Sequence, residues 1–211
     1  VDLLSRLLPE WAPNRSRPQR NAYHRYTVDR HLMEAAAEAA RLADRVERPD
    51  LLVLGGLFHD IGKGYPGDHS EVGVDLVRRI AQRMGYPPAD VEVLAALVRH
   101  HLLLPDVASR RDLEDEDTIR FVAEEIDSVN TLELLGALTE ADSIATSRAA
   151  WNGWKAELVR DLVTRTSHFI QSGGNVAPSA FPSTELLERL LAGEESVSLV
   201  GHELTVMTED L

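Results

Sequence analysis

Histidine and aspartate residues occur at several places where the surrounding sequence is apolar. His59 and Asp60 directly follow one apolar run, and His100 and His101 follow another. Asp142 shares the apolar face of a predicted helix, whereas its neighbour Glu140 points the opposite way. A charged group on a buried face costs several kcal/mol unless it is paired. A divalent metal ion would compensate all these side chains together.

Two further histidines fit the same interpretation. His31 lies on the apolar stripe of a predicted helix, and His69 begins a helix that Asp68 caps. The predicted metal ligands are therefore His31, His59, Asp60, His69, His100, His101 and Asp142. Imidazole and carboxylate groups without sulfur favour Mn or Mg, and they are also compatible with Fe or Zn. Such a set exceeds the needs of one ion, so one or two ions are expected. Two ions could stabilise the attacking and leaving oxygens of a phosphoester displacement.

The alternative interpretation is a set of hydrogen-bonded core residues. It remains open for His31 or His69 taken alone, because a single inward-facing histidine is common in protein cores. It explains less well the adjacent His-Asp and His-His pairs. His24, His168 and His202 lack an apolar setting and are predicted to be ordinary surface or structural residues.

The elements that would position these residues are predicted to be helices, because long Ala, Leu, Glu and Arg stretches recur at helical spacing. The predicted helices cover residues 2–8, 27–47, 51–61, 69–84, 88–103, 115–126, 130–146, 151–171 and 183–192. Pro105 is expected to stop the fifth of them. Alternating residues at 196–200 and 203–207 predict a hairpin around Gly201-His202. The expected fold class is all-α with a short C-terminal β-hairpin.

Length and composition limit the function classes. The chain has 211 residues, a net charge of −13 and no cysteine, which indicates one domain or one domain with an appendage. Thirty-five acidic residues against 22 basic ones argue against nucleic-acid binding. The lack of cysteine excludes disulfides and is compatible with a reducing compartment. No apolar run is long enough to span a bilayer. We expect a cytoplasmic location and neither a membrane nor a nucleic-acid partner.

A composition shift near residue 172 predicts three segments. Residues 1–20 form an N-terminal flank, 21–171 form the domain that carries the metal ligands, and 172–211 form a linker with the hairpin. The first residue is not Met, so we expect a piece of a longer protein.

The order of His31, His59-Asp60 and Asp142 on helices resembles the HD superfamily of metal-dependent phosphohydrolases. Within that superfamily the chain is similar, over about residues 20–165, to the HD domain of the bifunctional uridylyltransferase/uridylyl-removing enzymes of nitrogen signalling. The similarity is carried by Tyr26-Thr27-Val28-Asp29-Arg30-His31, Leu57-Phe58-His59-Asp60-Ile61-Gly62-Lys63-Gly64, Gly67-Asp68-His69-Ser70-Glu71, His100-His101-Leu102, Arg110-Arg111-Asp112-Leu113, Ala141-Asp142-Ser143-Ile144-Ala145-Thr146 and Trp151-Asn152-Gly153-Trp154-Lys155.

This resemblance implies an HD-domain helical bundle and a role in nitrogen regulation. The family has a nucleotidyltransferase domain before the HD domain and two ACT domains after it, and the ACT region senses glutamine. The hairpin would lead toward an ACT domain that this chain lacks. The implied reaction is hydrolysis of the phosphodiester that joins a nucleotide, UMP or AMP, to a tyrosine of the PII signal-transduction protein.

The resemblance and the metal chemistry together assign roles. Asp60, Lys63 and His69 are the expected catalytic residues, with Asp60 bridging or binding both ions. The two expected ligand groups are His31, His59 and Asp142 for one ion, and His69, His100 and His101 for the other. Lys63, Arg110 and Arg111 are the expected substrate-binding residues, since Lys63 could hold a phosphate as a point charge. A solvated surface role stays open for all three.

Two other functions remain open. The chain could be an HD hydrolase of a free nucleotide, although the sequence lacks the His-Asp-x-x-Glu-Asp pattern of alarmone hydrolases. It could also be a regulatory module that binds metal and is catalytically inert. Turnover of a nucleotide without a protein substrate would indicate the first, and binding of PII without hydrolysis would indicate the second.

Overall fold

The computed structural model describes residues 3–19, 24–147, 150–177, 195–200 and 203–208. Over these residues the domain is helical, as the sequence predicts. The helices are α1 Leu3–Leu7, α2 Val28–Arg41, α3 Pro49–Phe58, α4 His69–Met84, α5 Pro88–His100, α6 Leu103–Arg110, α7 Glu116–Glu125, α8 Val129–Thr146 and α9 Gly153–Ser172. Short 3₁₀ helices cover Pro9–Asn14, Ala43–Arg45 and Ile61–Gly64.

Two strands follow the helical part of the chain. β1 (Glu195–Val200) and β2 (Glu203–Thr208) pair antiparallel, with Val200 opposite Glu203. The helix expected at 183–192 lies outside the described residues. The idea that the paired strands lead toward a further domain stays a prediction.

Side-chain caps explain where several helices begin. The carboxylate of Asp68 accepts hydrogen bonds from the backbone N–H groups of Ser70 and Glu71, which begins α4. The side chain of Asn152 accepts from the N–H of Lys155 and begins α9 in the same way. These caps fix the first turns of the two helices that later supply His69 and Lys155 to one cavity.

The helix boundaries differ from expectation at Pro105. The expected helix over 88–103 ends instead at His100, and α6 starts at Leu103 with Pro105 inside its first turn. The first N–H groups of a helix have no partner within it, so proline is tolerated in the first turn and does not end the helix there. The resulting break follows His100. The expected helix over 27–47 is likewise shorter and ends at Arg41.

The core of the bundle lies where α3 meets its neighbours. α3 packs against α2, α5 and α8, and α4 packs against α5. Leu52 on α3, Leu94 and Leu97 on α5 and Leu138 on α8 are all fully buried. Burying an apolar side chain of this size contributes about 1.5–3 kcal/mol. The helix order thus holds the ends of α3 and α5, and the middle of α8, against one another.

One glycine permits the close approach of α2 and α3. A Cβ atom at Gly56 would lie 2.9 Å from the backbone oxygen of Ala35. Only glycine fits this contact without movement of a helix backbone. In the described part of the chain, no helix is both long and apolar enough to cross a membrane.

Candidate metal centre

Three elements bring a histidine pair and a carboxylate into contact. His31 comes from α2, His59 follows α3, and Asp142 comes from α8. The Nε2 atom of His31 lies 3.2 Å from Nε2 of His59 and 3.0 Å from Oδ1 of Asp142. The Nε2 atom of His59 lies 3.4 Å from the same carboxylate oxygen. These three side chains therefore form one group of converging ligand atoms.

Asp60 lies between this group and a second one. Its Oδ2 atom is 3.5 Å from Nε2 of His59 and 3.8 Å from Nε2 of His31. Its Oδ1 atom is 3.4 Å from Nε2 of His101 and 3.6 Å from Nε2 of His69. Each carboxylate oxygen of this buried aspartate thus faces a different pair of imidazoles, which is the arrangement expected of a residue shared by two ions.

The turn after Asp60 brings the second group together. Asp60 begins the 3₁₀ helix Ile61–Gly64, which packs against the start of α4. A Cβ atom at Gly62 would lie only 2.0 Å from the backbone oxygen of His69. Glycine is therefore required for this contact, which sets the distance between Asp60 and the first turn of α4.

Backbone hydrogen bonds orient two of the imidazoles. Nδ1 of His59 contacts the carbonyl oxygen of Gly56 at 3.0 Å, and Nδ1 of His101 contacts that of Val98 at 2.8 Å. A carbonyl oxygen only accepts, so each Nδ1 carries a proton and each ring directs its Nε2 atom at the cluster. This is the tautomer and orientation that metal-binding histidines commonly have.

The spacing of the ligand atoms fits a divalent ion. Ligand atoms about 2.1 Å from an ion lie roughly 3.0–3.4 Å from one another. The contacts among His31, His59 and Asp142 fall in that range. In addition, Oδ1 of Asp60 and Nδ1 of His31 are buried and have no hydrogen-bond partner among the described residues. A buried carboxylate oxygen in this condition is costly, and a bound cation would satisfy it.

The electrostatics of the cluster also favour a cation. Burial opposes a positive charge on His59, but the carboxylates of Asp60 and Asp142 outweigh it and raise the pKa of His59 to about 10. Burial would raise the pKa of each of these carboxyls, but the histidine charges and hydrogen bonds hold both pKa values well below the usual range. In the metal-free protein, protonation of His59 therefore supplies positive charge beside the carboxylates. A bound metal ion would supply that charge instead.

A lysine lies beside the shared aspartate. Nζ of Lys63 is 2.5 Å from Oδ2 of Asp60 and donates a hydrogen bond to Oε1 of Gln19 at 2.9 Å. Lys63 is partly exposed and lines a cavity of about 1080 Å³ together with Asp60, His69, His101 and Asp142. The cavity is large enough for a small-molecule substrate, and it reaches the first ligand group through Asp142 and the second through His69 and His101.

Three expected site residues lie elsewhere. The side chain of His100 points away from the cluster, with Nδ1 3.7 Å from Oε2 of Glu125, because successive residues of a helix differ in direction by about 100°. Arg110 is the last residue of α6 and Arg111 follows it, and both line, with His100, a different cavity of about 400 Å³. The guanidinium of Arg111 lies 4.0 Å from the centre of the Phe121 ring. The structure thus does not bring His100 or either arginine to the candidate metal ligands.

His24 lies beside the candidate ligands, although the sequence predicts an ordinary surface or structural residue at this position. The ring centre of His24 is 5.3 Å from that of His31, and its ligand atoms lie close to those of His31 and Asp60. Burial lowers the pKa of His24, which keeps the imidazole neutral. His24 precedes α2 and lies outside any helix, so helical periodicity could not reveal it. The signal that the sequence offers for His24 is its position, seven residues before His31 and inside the segment of about residues 20–165 that resembles the HD domain.

Comparison with known proteins identifies the domain. The family model described as "HD domain" matches residues 28–146, more than half of the chain. The match contains His31, His59, Asp60, His69, His101 and Asp142 and lies inside the expected domain of residues 21–171.

Several curated proteins are similar over most of this chain. A bifunctional uridylyltransferase/uridylyl-removing enzyme of Streptomyces coelicolor is 54% identical over 184 residues, which is 87% of this chain and 22% of that protein. One of Mycobacterium tuberculosis is 52% identical over 182 residues, covering 86% and 22%. One of Gluconobacter oxydans is 42% identical over 186 residues, covering 81% and 20%. The chain thus spans about a fifth of the length of these relatives.

Proposed function

The chain belongs to the HD-domain family, and we propose that it is a metal-dependent phosphodiesterase that removes a uridylyl group from a modified protein. The observation that carries the proposal is the position of Asp60. Its two buried carboxylate oxygens face two different pairs of histidines beside one open cavity.

The proposed ligand set follows the geometry. One ion would be held by His31, His59, Asp142 and Asp60, and a second by Asp60, His69 and His101. His24 would lie beside the first ion, and His100 is left out of the set. Such ions, when bound, would supply a hydroxide nucleophile at neutral pH and would neutralise charge on phosphoryl oxygens. Mn²⁺ and Mg²⁺ are the proposed ions, with Fe or Zn as the alternatives.

The chain's own residues bind and orient the substrate. Nδ1 of His59 and Nδ1 of His101 keep their protons in backbone hydrogen bonds, so both rings hold a fixed direction. Burial lowers the pKa of His69, which leaves a neutral lone pair at the cavity wall. The ammonium of Lys63, beside Asp60, would contact a phosphate oxygen when the substrate occupies the cavity.

The partners follow from the resemblance and from the relatives' names. The proposed substrate is the tyrosine of PII that carries a uridylyl group, so UMP is the product in place of AMP, because the relatives are named as uridylyl-removing enzymes. Regulation by glutamine, which the resemblance implies for the family, belongs to the same proposal. A cytoplasmic location and domain boundaries at residues 20 and 171 are part of the same proposal.

The test is release of UMP from uridylylated PII by this chain. We expect release with Mn²⁺ present and none after chelation. Asp60→Asn should abolish release because it removes the shared carboxylate, whereas Asp117→Asn, on the exposed surface of α7, should leave it unchanged. Uridylylated PII that survives long incubation with the Mn²⁺-loaded chain would contradict the proposal. Hydrolysis of free nucleotides alone would favour the free-nucleotide alternative.

A further inference from the structure

The chain contains only two lysines, and both line the same cavity. All the other positive side chains among its 22 basic residues are arginines. Lys63 and Lys155 both line the cavity beside the metal ligands, although they are far apart in the sequence. A lysine ammonium is a compact point charge that binds phosphate without the fixed planar geometry of arginine. This placement sets the two lysines apart from the arginines of the solvated surface.

The charge of Lys63 is already engaged by the protein. Its ammonium contacts Asp60 and donates to Gln19. Arg17, another cation of the cavity, donates to the carbonyl oxygen of Gly64 at 3.3 Å. By contrast, among the described residues the ammonium of Lys155 donates no hydrogen bond and forms no ion pair. Lys155 is therefore a cavity cation whose ammonium has no directly contacting anion within the described part of the chain.

The position of Lys155 makes this lack of a partner costly. It lies in the first turn of α9 and is partly buried. Burial lowers the pKa of Lys155, while the more distant carboxylates of Asp142 and Asp106 act in the opposite direction. Removal of an ammonium from water needs a compensating anion. An anion bound in the cavity would supply it.

We propose that Lys155 binds a phosphate oxygen of the nucleotidyl group, and so forms a phosphate-binding subsite on α9 that is separate from Lys63 and the metal ligands. The subsite rests on the proposed function, because it takes the phosphodiester of that reaction as its ligand. Its ligand class is a nucleoside monophosphate group. A carboxylate of the protein substrate is the competing anion, and the test below separates the two.

The two lysines allow a direct chemical test. The Mn²⁺-loaded chain is treated with trace acetic anhydride, and acetylation of Lys155 is followed by mass spectrometry. We expect UMP and inorganic phosphate to slow acetylation of Lys155 about tenfold when they saturate the site, because a charge-assisted hydrogen bond holds the ammonium. Uridine without phosphate, and acetate, should give no protection. Equal acetylation with and without UMP would overturn the proposal, and protection by acetate alone would indicate a carboxylate ligand instead.

Variants provide the second measurement. Lys155→Met should raise the dissociation constant of UMP about tenfold, and Lys155→Arg should recover part of the affinity. The Mn²⁺ content should not change in either. Arg160→Met serves as the control, because Arg160 is exposed on the same helix and pairs with Glu157. Unchanged UMP affinity in a folded Lys155→Met chain would overturn the proposal. If that variant fails to fold, the acetylation result and Lys155→Arg decide.

The subsite and the proposed function can fail separately. If UMP protects Lys155 of the wild-type chain from acetylation but this chain does not release UMP from PII, the subsite is supported and the function is contradicted. If the Lys155→Met variant releases UMP from PII as fast as the wild type and with the same KM, the function is supported and the subsite is contradicted.

Discussion

His31 and His59, which are 28 residues apart in the chain, bring their Nε2 atoms to within 3.2 Å of each other. At most one hydrogen bond can join these two nitrogens, and both rings also face Asp142. The contact is satisfied most fully when both nitrogens bind a common cation.

The adjacent histidines His100 and His101 should behave differently. His101→Ala removes an imidazole that faces Asp60 at 3.4 Å, so we expect loss of one metal ion and a fall in activity of about 10- to 100-fold or more. His100→Ala should keep both, because its side chain points toward Glu125. Metal analysis and hydrolysis assays on the matched pair check this. Equal losses in the two variants would place His100 in the ligand set after all.

The glycine between α2 and α3 should be essential for the cluster. Gly56→Ala places a Cβ atom 2.9 Å from the backbone oxygen of Ala35, which forces the two helices apart. We expect a loss of about 1–3 kcal/mol in the free energy of unfolding, together with weaker metal binding. Urea unfolding and metal titration measure the two effects.

Gly136→Ala is the matched control for that variant. Its Cβ would meet only the side chain of Val163, at 3.2 Å, and this side chain can shift. Its effect on stability should therefore be smaller, and its metal affinity should be unchanged. A Gly56→Ala chain with wild-type stability and metal affinity would show that the helix spacing does not control the site.

Metal binding should release protons. The carboxylates of Asp60 and Asp142 raise the pKa of His59 to about 10, so in the metal-free protein this imidazole is protonated near pH 7. It must lose that proton to bind a metal ion through Nε2, so affinity should fall as pH falls, by about tenfold per pH unit for each displaced proton. Calorimetric titration with Mn²⁺ in buffers of different ionisation enthalpy measures the number released. Affinity independent of pH from about 6 to about 8 would contradict this assignment.

A buried arginine should stabilise the packing of α9 against the segments that hold Leu113 and Ala177. Arg165 is 3% exposed, lies 3.8 Å from Asp161, and donates to the carbonyl oxygens of Leu113 and Ala177. Arg165→Met should lower the free energy of unfolding by about 3–5 kcal/mol, because it removes the cation from a buried network. Metal affinity should change little in the chain that remains folded.

The exposed Arg160 gives the comparison for that prediction. Its pair with Glu157 lies on the surface, so Arg160→Met should change stability by less than about 1 kcal/mol. Thermal and urea unfolding of both variants measure the difference. Similar stability of the two variants would mean that the buried network contributes little.

The sequence predicts the helices and most of the metal ligands for identifiable reasons. Asp142 is predicted as a ligand because a carboxylate on an apolar helix face needs a partner. His59 and Asp60 are predicted as ligands because they directly follow an apolar helix. The sequence does not show which of His100 and His101 faces the ligand cluster, because their directions depend on where α5 ends. The sequence predicts that Pro105 stops this helix, whereas α5 ends at His100. His24 lies outside the helices and Lys155 is 92 residues from Lys63, so only the tertiary structure brings them to the cavity.

The most direct test is the metal content of the chain with and without the shared carboxylate. Wild type and Asp60→Asn are dialysed against Mn²⁺, freed of excess ion, and analysed for bound metal per folded chain. The account predicts one or two ions in wild type and the loss of at least one in the variant, since Oδ1 and Oδ2 of Asp60 face both ligand groups. A wild-type chain without metal, or an Asp60→Asn chain that keeps the full content, would contradict it.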